Sequence, residues 1–141
     1  MEVRGCKIEP GADLAYANLA YVTLAYVNLS GADLTEANLT RANLTRTDLT
    51  EANLTGADLT GAILSGAFLE GANLTGANLT SAFLTAADLT RANLTRTDLT
   101  RASLTQTDLT EANLTGAKVS DANLRPANLT GATMPDGSIH D

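Results

Sequence analysis

The sequence is poor in the residues that build reactive or metal-binding sites. Its 141 residues include one cysteine and one histidine, and aromatic residues make up only 4% of the chain. A disulfide framework needs paired cysteines, a zinc site needs about four nitrogen or sulfur ligands, and a histidine-based triad would have to form around His140. Cys6 and His140 have no partner at a motif spacing. We therefore expect no catalytic residue, no metal and no cofactor, and the protein is not expected to be an enzyme.

Basic residues and long apolar runs are also scarce. The chain has 9 lysine and arginine residues against 16 aspartate and glutamate residues, a formal net charge of −7, and it contains no basic run that would attract phosphate. The first residues, MEVRGCKIEPG, are charged and include no apolar run, unlike a signal peptide or a membrane span. We expect a cytoplasmic, single-domain protein that binds neither nucleic acid directly nor a membrane.

What the sequence does contain is an apolar residue at every fifth position. The series runs unbroken from Leu14 to Leu114 and then continues through Val119, Leu124, Leu129 and Met134. A small residue, usually Ala, stands two positions earlier, so the consensus pentad is Ala-(Asp/Asn)-Leu-Thr-X. On an α-helix every fifth residue is rotated by about 140°, which would scatter the leucines around the circumference. The period excludes an amphipathic helix and equally a regular strand.

A chain that turns a corner after every pentad satisfies this pattern. Four sides close a square coil of about 20 residues, and stacked coils pair backbone to backbone about 4.8 Å apart. Each leucine and the small residue before it then point inward and fill a narrow interior. The sequence predicts an all-β protein of about six such coils. We divide it into an N-terminal cap segment over 1–10, a β-helix over 11–135 and a C-terminal tail over 136–141.

The repeat resembles the pentapeptide-repeat family, whose signature is Ala-(Asp/Asn)-Leu-X-X. The resemblance covers residues 11–135 and implies a right-handed quadrilateral β-helix. The family motif contains no catalytic residue, so the resemblance implies a protein-interaction module or scaffold. Some members, the quinolone-resistance proteins, occupy the DNA-binding saddle of DNA gyrase. An acidic DNA mimic that binds gyrase or a related topoisomerase is therefore the alternative function.

Both ends of the chain depart from the repeat. Val3, Cys6 and Ile8 precede a Pro10-Gly11 break, and we expect them to fold over the first coil as an apolar lid. At the other end, the sequence Pro-Asp-Gly over 135–137 stops the repeat. An uncapped coil exposes unpaired backbone groups, so both a monomer and an end-to-end homodimer are compatible with the sequence.

Three outward positions that normally hold Asp or Asn are apolar instead, namely Ile63, Phe68 and Phe83. Ile63 and Phe83 are four pentads apart and therefore stack on one side of the coil, with Phe68 on the next. We expect the neighbouring corners to be bare because they hold glycine, at Gly61, Gly66 and Gly71. We interpret the three apolar residues as a binding patch for an unidentified protein partner. The alternative is that they have no function, since single exposed apolar residues are common.

Charge is distributed unevenly around the coil. The side that contains Leu29 and Leu49 carries six acidic residues, and Arg91 is its only basic residue. The six residues form what we call the acidic strip: Asp48, Glu51, Glu70, Asp88, Asp108 and Glu111. A mimic of the DNA backbone would present such a strip. The alternative explanation is structural, because Asp and Asn belong to the repeat consensus, where their short side chains bind nearby backbone.

The three tyrosines occupy corners of the first coil. One coil later, Arg41 occupies the same corner as Tyr21, and Arg46 occupies the same corner as Tyr26. We expect each arginine to stack on the tyrosine ring below it and so reinforce this end of the rod.

Overall fold

Hydrogen bonds between successive coils organise the backbone. The structure is a computed structural model that describes all residues from 1 to 141. The residue before each inward leucine forms a parallel bridge with the equivalent residue four pentads later, from Asp13–Asp33 to Asn113–Thr133. Leu14 N–H donates to the Asp33 carbonyl at 2.7 Å, and Asp33 N–H donates to the Ala12 carbonyl at 2.9 Å. One coil therefore takes four pentads, and the chain folds as a right-handed quadrilateral β-helix.

The corners are sharp because their residues adopt the left-handed backbone conformation. The φ angle at the corner is +51° at Arg46 and +70° at Gly131, so glycine and non-glycine corners share one geometry. This conformation costs an L-residue roughly 1–2 kcal/mol and costs glycine nothing. The corner amide also bonds to the next coil, as Gly31 N–H does to the Thr50 carbonyl at 2.8 Å. Pro126 is the exception, and its peptide bond with Arg125 is cis.

A single column of leucine and alanine fills the interior. Forty buried residues form one cluster, and the leucines from Leu14 to Leu114 are almost completely inaccessible. At three inward positions Thr replaces Ala, and its hydroxyl donates to a leucine carbonyl of the coil below. The pairs are Thr47–Leu24 at 2.7 Å, Thr97–Leu74 at 2.9 Å and Thr107–Leu84 at 2.8 Å. No buried side-chain polar atom is left without a partner.

The first ten residues cover the N-terminal end of this column. Two short strands, β1 (Glu2–Val3) and β2 (Cys6–Lys7), pair as an antiparallel hairpin. Ile8 is buried in the core, and Val3 and Cys6 pack against it. The three apolar residues of this segment therefore lie against the first coil.

The C-terminal end is covered on one side only. After Pro135 the chain reverses, Thr133 and Ile139 form an antiparallel bridge, and His140 N–H donates to the Ala132 carbonyl at 2.8 Å. On the other three sides the last inward residues are only half-buried, and their amides have no backbone partner; they are Val119, Leu124 and Leu129. The structure contains no helix that is long and apolar enough to cross a membrane.

The corner geometry predicts opposite effects of glycine at two adjacent alanines. Ala86 is a corner residue with a φ of +59°, whereas Ala87 points inward and is buried. We expect Ala86→Gly to raise the free energy of unfolding by about 0.5–1 kcal/mol, because glycine adopts the left-handed conformation without strain. Ala87→Gly removes a buried methyl group and should lower it by about 1 kcal/mol or more. Urea denaturation measures both changes, and destabilisation by Ala86→Gly would contradict the corner assignment.

Candidate interaction surfaces

The outward Asp and Asn residues close a local turn on each side of the coil. Asn38 Oδ1 accepts the backbone N–H of Thr40 at 3.0 Å and its hydroxyl at 2.7 Å. The aspartates of the acidic strip accept a backbone N–H in the same way, in the pairs Asp48–Thr50 at 2.9 Å, Asp88–Thr90 at 2.9 Å and Asp108–Thr110 at 3.0 Å. These turns explain why the repeat selects Asp or Asn here. The second carboxylate oxygen of each of these three aspartates makes no hydrogen bond within the chain.

At two positions within the repeat this turn shifts the pKa of the carboxylate. The Thr35 hydroxyl, 2.6 Å from Asp33 Oδ1, and then the Thr35 backbone N–H stabilise the ionised form and hold the pKa of Asp33 below its usual value. The Thr100 hydroxyl and N–H lower the pKa of Asp98 in the same way, with smaller contributions from nearby cations. Hydrogen bonds to the charged form are the main cause in both cases.

These two shifts predict a dependence of stability on acidity. Because the folded state lowers the two pKa values, their contribution to stability is complete above about pH 4 and is lost as the pH falls through the folded pKa. Asp33→Asn/Asp98→Asn keeps the acceptor oxygen and removes the titration. We expect a melting temperature below wild type at pH 7, where the variant lacks the charge-assisted bonds, and a smaller decrease between about pH 4 and pH 2. Identical acid profiles of the two proteins would contradict this role.

The structure brings the acidic strip to one side of the rod but interrupts it. Asp48, Phe68, Asp88 and Asp108 follow one another in a single column of bridges, so Phe68 separates the first aspartate from the other two. Glu70 forms an ion pair with Arg91, which neutralises part of the strip.

The apolar residues divide between two sides of the coil. Ile63 and Phe83 are bridge partners, are 39% and 52% exposed, and form what we call the apolar platform. Phe68 is 49% exposed and lies on the next side, in the aspartate column. The sequence-predicted patch is therefore two distinct surfaces that share an edge of the rod.

The glycine corners beside the platform are not bare, and that expectation was wrong. A Cβ atom at Gly61 would lie 3.2 Å from Arg41 Cγ, and one at Gly66 would lie 3.1 Å from Arg46 Cγ. Each arginine extends from the coil below over the glycine above it. Long side chains fit here because glycine leaves the corner empty.

This direction also corrects the expected stacking on the tyrosines. Arg41 and Arg46 run toward the next coil, away from Tyr21 and Tyr26, and the tyrosine side chains stay exposed. The sequence did contain the relevant signal, which is an arginine four pentads before a glycine at the same corner. Glycine provides room for the arginine side chain, so each arginine extends toward the glycine of the next coil and not toward the tyrosine of the coil before.

The remaining candidates do not form a reactive site. Cys6 is half-buried in the lid, and His140 is exposed in the terminal hairpin. No group of three or more His, Cys, Asp or Glu side chains is close enough to hold a metal ion. A shallow depression of about 500 Å³ between Gln106 and Pro126 is open to solvent.

These features define a β-helical repeat protein whose variable chemistry lies on its outer surface. The family model described as pentapeptide repeats matches eight copies over residues 12–51, 52–91 and 87–125, and the chain belongs to the pentapeptide repeat family. Proteins of this family are generally non-enzymatic structural or interaction modules. Among curated protein sequences, none matches this chain.

Several solved structures of the family are similar to this chain. HetL, a pentapeptide repeat protein involved in heterocyst differentiation regulation from the cyanobacterium Nostoc sp. strain PCC 7120, is 44% identical over 92% of the chain, with a TM-score of 0.69. The chain spans 62% of the length of HetL. A pentapeptide repeat protein from the Arabidopsis thaliana thylakoid lumen is 37% identical, with 67% of this chain and 66% of that chain covered and a TM-score of 0.61. Rfr23 from the cyanobacterium Cyanothece 51142 is 29% identical, with 93% of this chain and 89% of that chain covered and a TM-score of 0.58.

Proposed function

We propose that this chain is a non-enzymatic protein-interaction module that contacts an unidentified protein partner through Ile63, Phe68 and Phe83. The supporting observation is that these large apolar side chains are 39%, 49% and 52% exposed at positions that hold polar residues everywhere else in the repeat. Exposed apolar area of this kind is characteristic of contact sites when it is clustered. A partner that covers it would gain the free energy of burying aromatic and aliphatic surface.

The fold also loses local hydrogen bonds at these three positions. No side-chain oxygen accepts the amides of Ser65, Glu70 and Thr85, the residues that follow two positions later. An Asp or Asn would have provided that bond, as in the turn between Asn38 and Thr40. Apolar residues at these sites therefore stabilise the isolated fold less than Asp or Asn would. This favours a role in binding over a role in stability.

The proposed contact is tested by restoring the consensus. In Ile63→Asn/Phe68→Asn/Phe83→Asn the three turns can form, so we expect a melting temperature equal to or above that of wild type. Quantitative affinity capture from cells expressing the tagged chain should show a partner bound to wild type and at least about tenfold depleted with the variant. Asn53→Ser/Asn73→Ser, on the side opposite Ile63 and Phe83, is the control and should retain the partner. A partner held equally by wild type and the triple variant would contradict the proposal.

An acidic DNA mimic that binds DNA gyrase or a related topoisomerase is the second candidate function. The alignment of Asp48, Asp88 and Asp108 in one column, each with a free carboxylate oxygen, favours it. We rank this candidate second because a phosphate mimic requires continuous negative charge. Phe68 interrupts the column of aspartates, and Arg91 pairs with Glu70.

A supercoiling titration with purified gyrase distinguishes the two candidates. Mimicry predicts inhibition that weakens with salt and is lost in Asp48→Asn/Asp88→Asn/Asp108→Asn, which keeps the turns but removes three charges. Asp33→Asn/Asp58→Asn/Asp98→Asn removes three charges from other sides and should inhibit like wild type. No inhibition at tens of micromolar would exclude this candidate for gyrase.

A cytoplasmic location and the assembly state remain predictions. The half-buried Val119, Leu124 and Leu129 at the open end of the rod are compatible with a homodimer joined end to end, and the hairpin that covers one side is compatible with a monomer. Sedimentation equilibrium of the whole chain separates these two assemblies.

A further inference from the structure

The side of the rod that carries the apolar platform has an unusual charge environment for so acidic a protein. Its outward residues, from Thr23 to Asn123 in one column and from Ala25 to Arg125 in the next, include no carboxylate. In the corner columns on either side of it, the only acidic residue is Asp121, in the last coil. A negatively charged partner therefore meets no repulsion on this side near Ile63 and Phe83.

Three arginines lie at the two corners that flank the platform. Arg41 and Arg46 extend over Gly61 and Gly66, with Nε 3.7 Å and 3.6 Å from the positions that a glycine Cβ would occupy. Both guanidinium groups are thereby raised toward the coil that contains Ile63. Arg101 extends in the opposite direction, and its Nε donates to Ser81 Oγ at 3.4 Å, toward the coil that contains Phe83.

None of these three arginines forms an ion pair within the chain. The two ion pairs of the structure join Lys7 to Glu9 and Arg91 to Glu70. The guanidinium groups of Arg41, Arg46 and Arg101 thus retain donors for an external acceptor. Arginine is suited to this role because its planar donors match the two oxygens of a carboxylate.

We propose that this side binds a protein segment that presents an apolar side chain flanked by carboxylates. The apolar side chain covers Ile63 and Phe83, and the carboxylates reach the arginines at the two corners. Covering the platform excludes water from the rim, which strengthens each arginine–carboxylate contact. This inference rests on the proposed interaction function and specifies the chemistry of the partner.

A protein segment fits this side better than a nucleic acid does. A phosphate backbone would have to run on past the platform, where Asp48, Asp88 and Asp108 line the adjacent side and repel it. A short acidic segment can end at the corner. The platform also offers a single aromatic ring, Phe83, whereas single-stranded nucleic acids are held by several stacking rings along a basic groove.

Fluorescence anisotropy with a defined probe tests the proposal. The probe is a fluorescein-labelled peptide of sequence GDEFDELLDEG, and its counterpart has lysine in place of every acidic residue. We expect the acidic peptide to bind at least about tenfold more tightly than the lysine peptide, with an affinity that decreases from low to physiological salt. A labelled single-stranded DNA of similar length should bind more weakly than the acidic peptide.

Two pairs of variants separate the platform side from the rest of the surface. Arg41→Gln/Arg46→Gln should weaken peptide binding by at least about tenfold, whereas Arg91→Gln/Arg96→Gln, which removes the same charge from other corners, should change it less than about twofold. Ile63→Asn/Phe83→Asn should weaken binding, and Phe68→Asn should not. Gln is compatible with these corners, since Gln106 already occupies one with a φ of +60°.

Three results would overturn this inference: equal binding of the acidic and lysine peptides, equal loss in both arginine pairs, or tighter binding of the DNA. Its failure is distinguishable from failure of the proposed function. If a captured partner requires Ile63 and Phe83 but not Arg41 and Arg46, the partner chemistry is wrong and the interaction surface stands. If capture is indifferent to all three apolar residues, the proposed function itself is wrong.

Discussion

The hydrogen bonds between successive coils hold the chain in a register of four pentads, and the positions of all surface groups follow from that register. The amide of Leu14 reaches the carbonyl of Asp33, and the same donor–acceptor pattern recurs along the rod. Each pentad therefore contributes one side, and equivalent residues of every fourth pentad lie in one column. Because the leucines and alanines fill the interior, the outward positions are free to vary without disturbing the core.

The corners connect this framework to the surface chemistry. A left-handed corner accepts glycine without cost, and a glycine leaves space for a long side chain from the coil below. This is how Arg41 and Arg46, although exposed, come to extend over Gly61 and Gly66 at the two corners that flank the apolar platform. Eight of the 16 acidic residues have one carboxylate oxygen occupied in a local turn, as in the pair Asp48–Thr50. Charge count alone is therefore a poor guide to which side of the rod attracts a partner.

The fold could be predicted from the sequence because a five-residue period leaves few geometries for the backbone. The same period assigns Ile63 and Phe83 to one side and Phe68 to the next, and the N-terminal lid follows from the spacing of its apolar residues. The period alone does not predict the directions of the arginine side chains, which also depend on where glycine stands at the same corner. A column contains neighbours both above and below, and which one a flexible side chain contacts depends on the space at each corner rather than on spacing.

The structure of the C-terminal end could not be predicted from the repeat either. The repeat stops at Pro135, but nothing in the period indicates that Ile139 returns to pair with Thr133. Such a contact depends on a turn outside the repeat. The hydrogen bonds of the buried threonines could not be predicted either. In the sequence, Thr47 is only a departure from the alanine of the consensus. In the structure its hydroxyl binds the Leu24 carbonyl.

The central claim, that a register of four pentads places side chains on their sides of the rod, is tested most directly by moving that register. In a Cys6→Ser background, Ile63→Cys/Phe83→Cys should form an intramolecular disulfide, since adjacent coils are about 4.8 Å apart. Inserting one pentad, Gly-Ala-Asn-Leu-Thr, between Glu70 and Gly71 should abolish that disulfide. It should also allow Phe68→Cys/Phe83→Cys to form one, because the two positions, three pentads apart in the native chain, become separated by one full coil. The same insertion between Thr115 and Gly116 should leave the first disulfide intact. Mass spectrometry of the oxidised proteins gives the answer, and an Ile63→Cys/Phe83→Cys disulfide that persists after insertion at Glu70 would contradict the account.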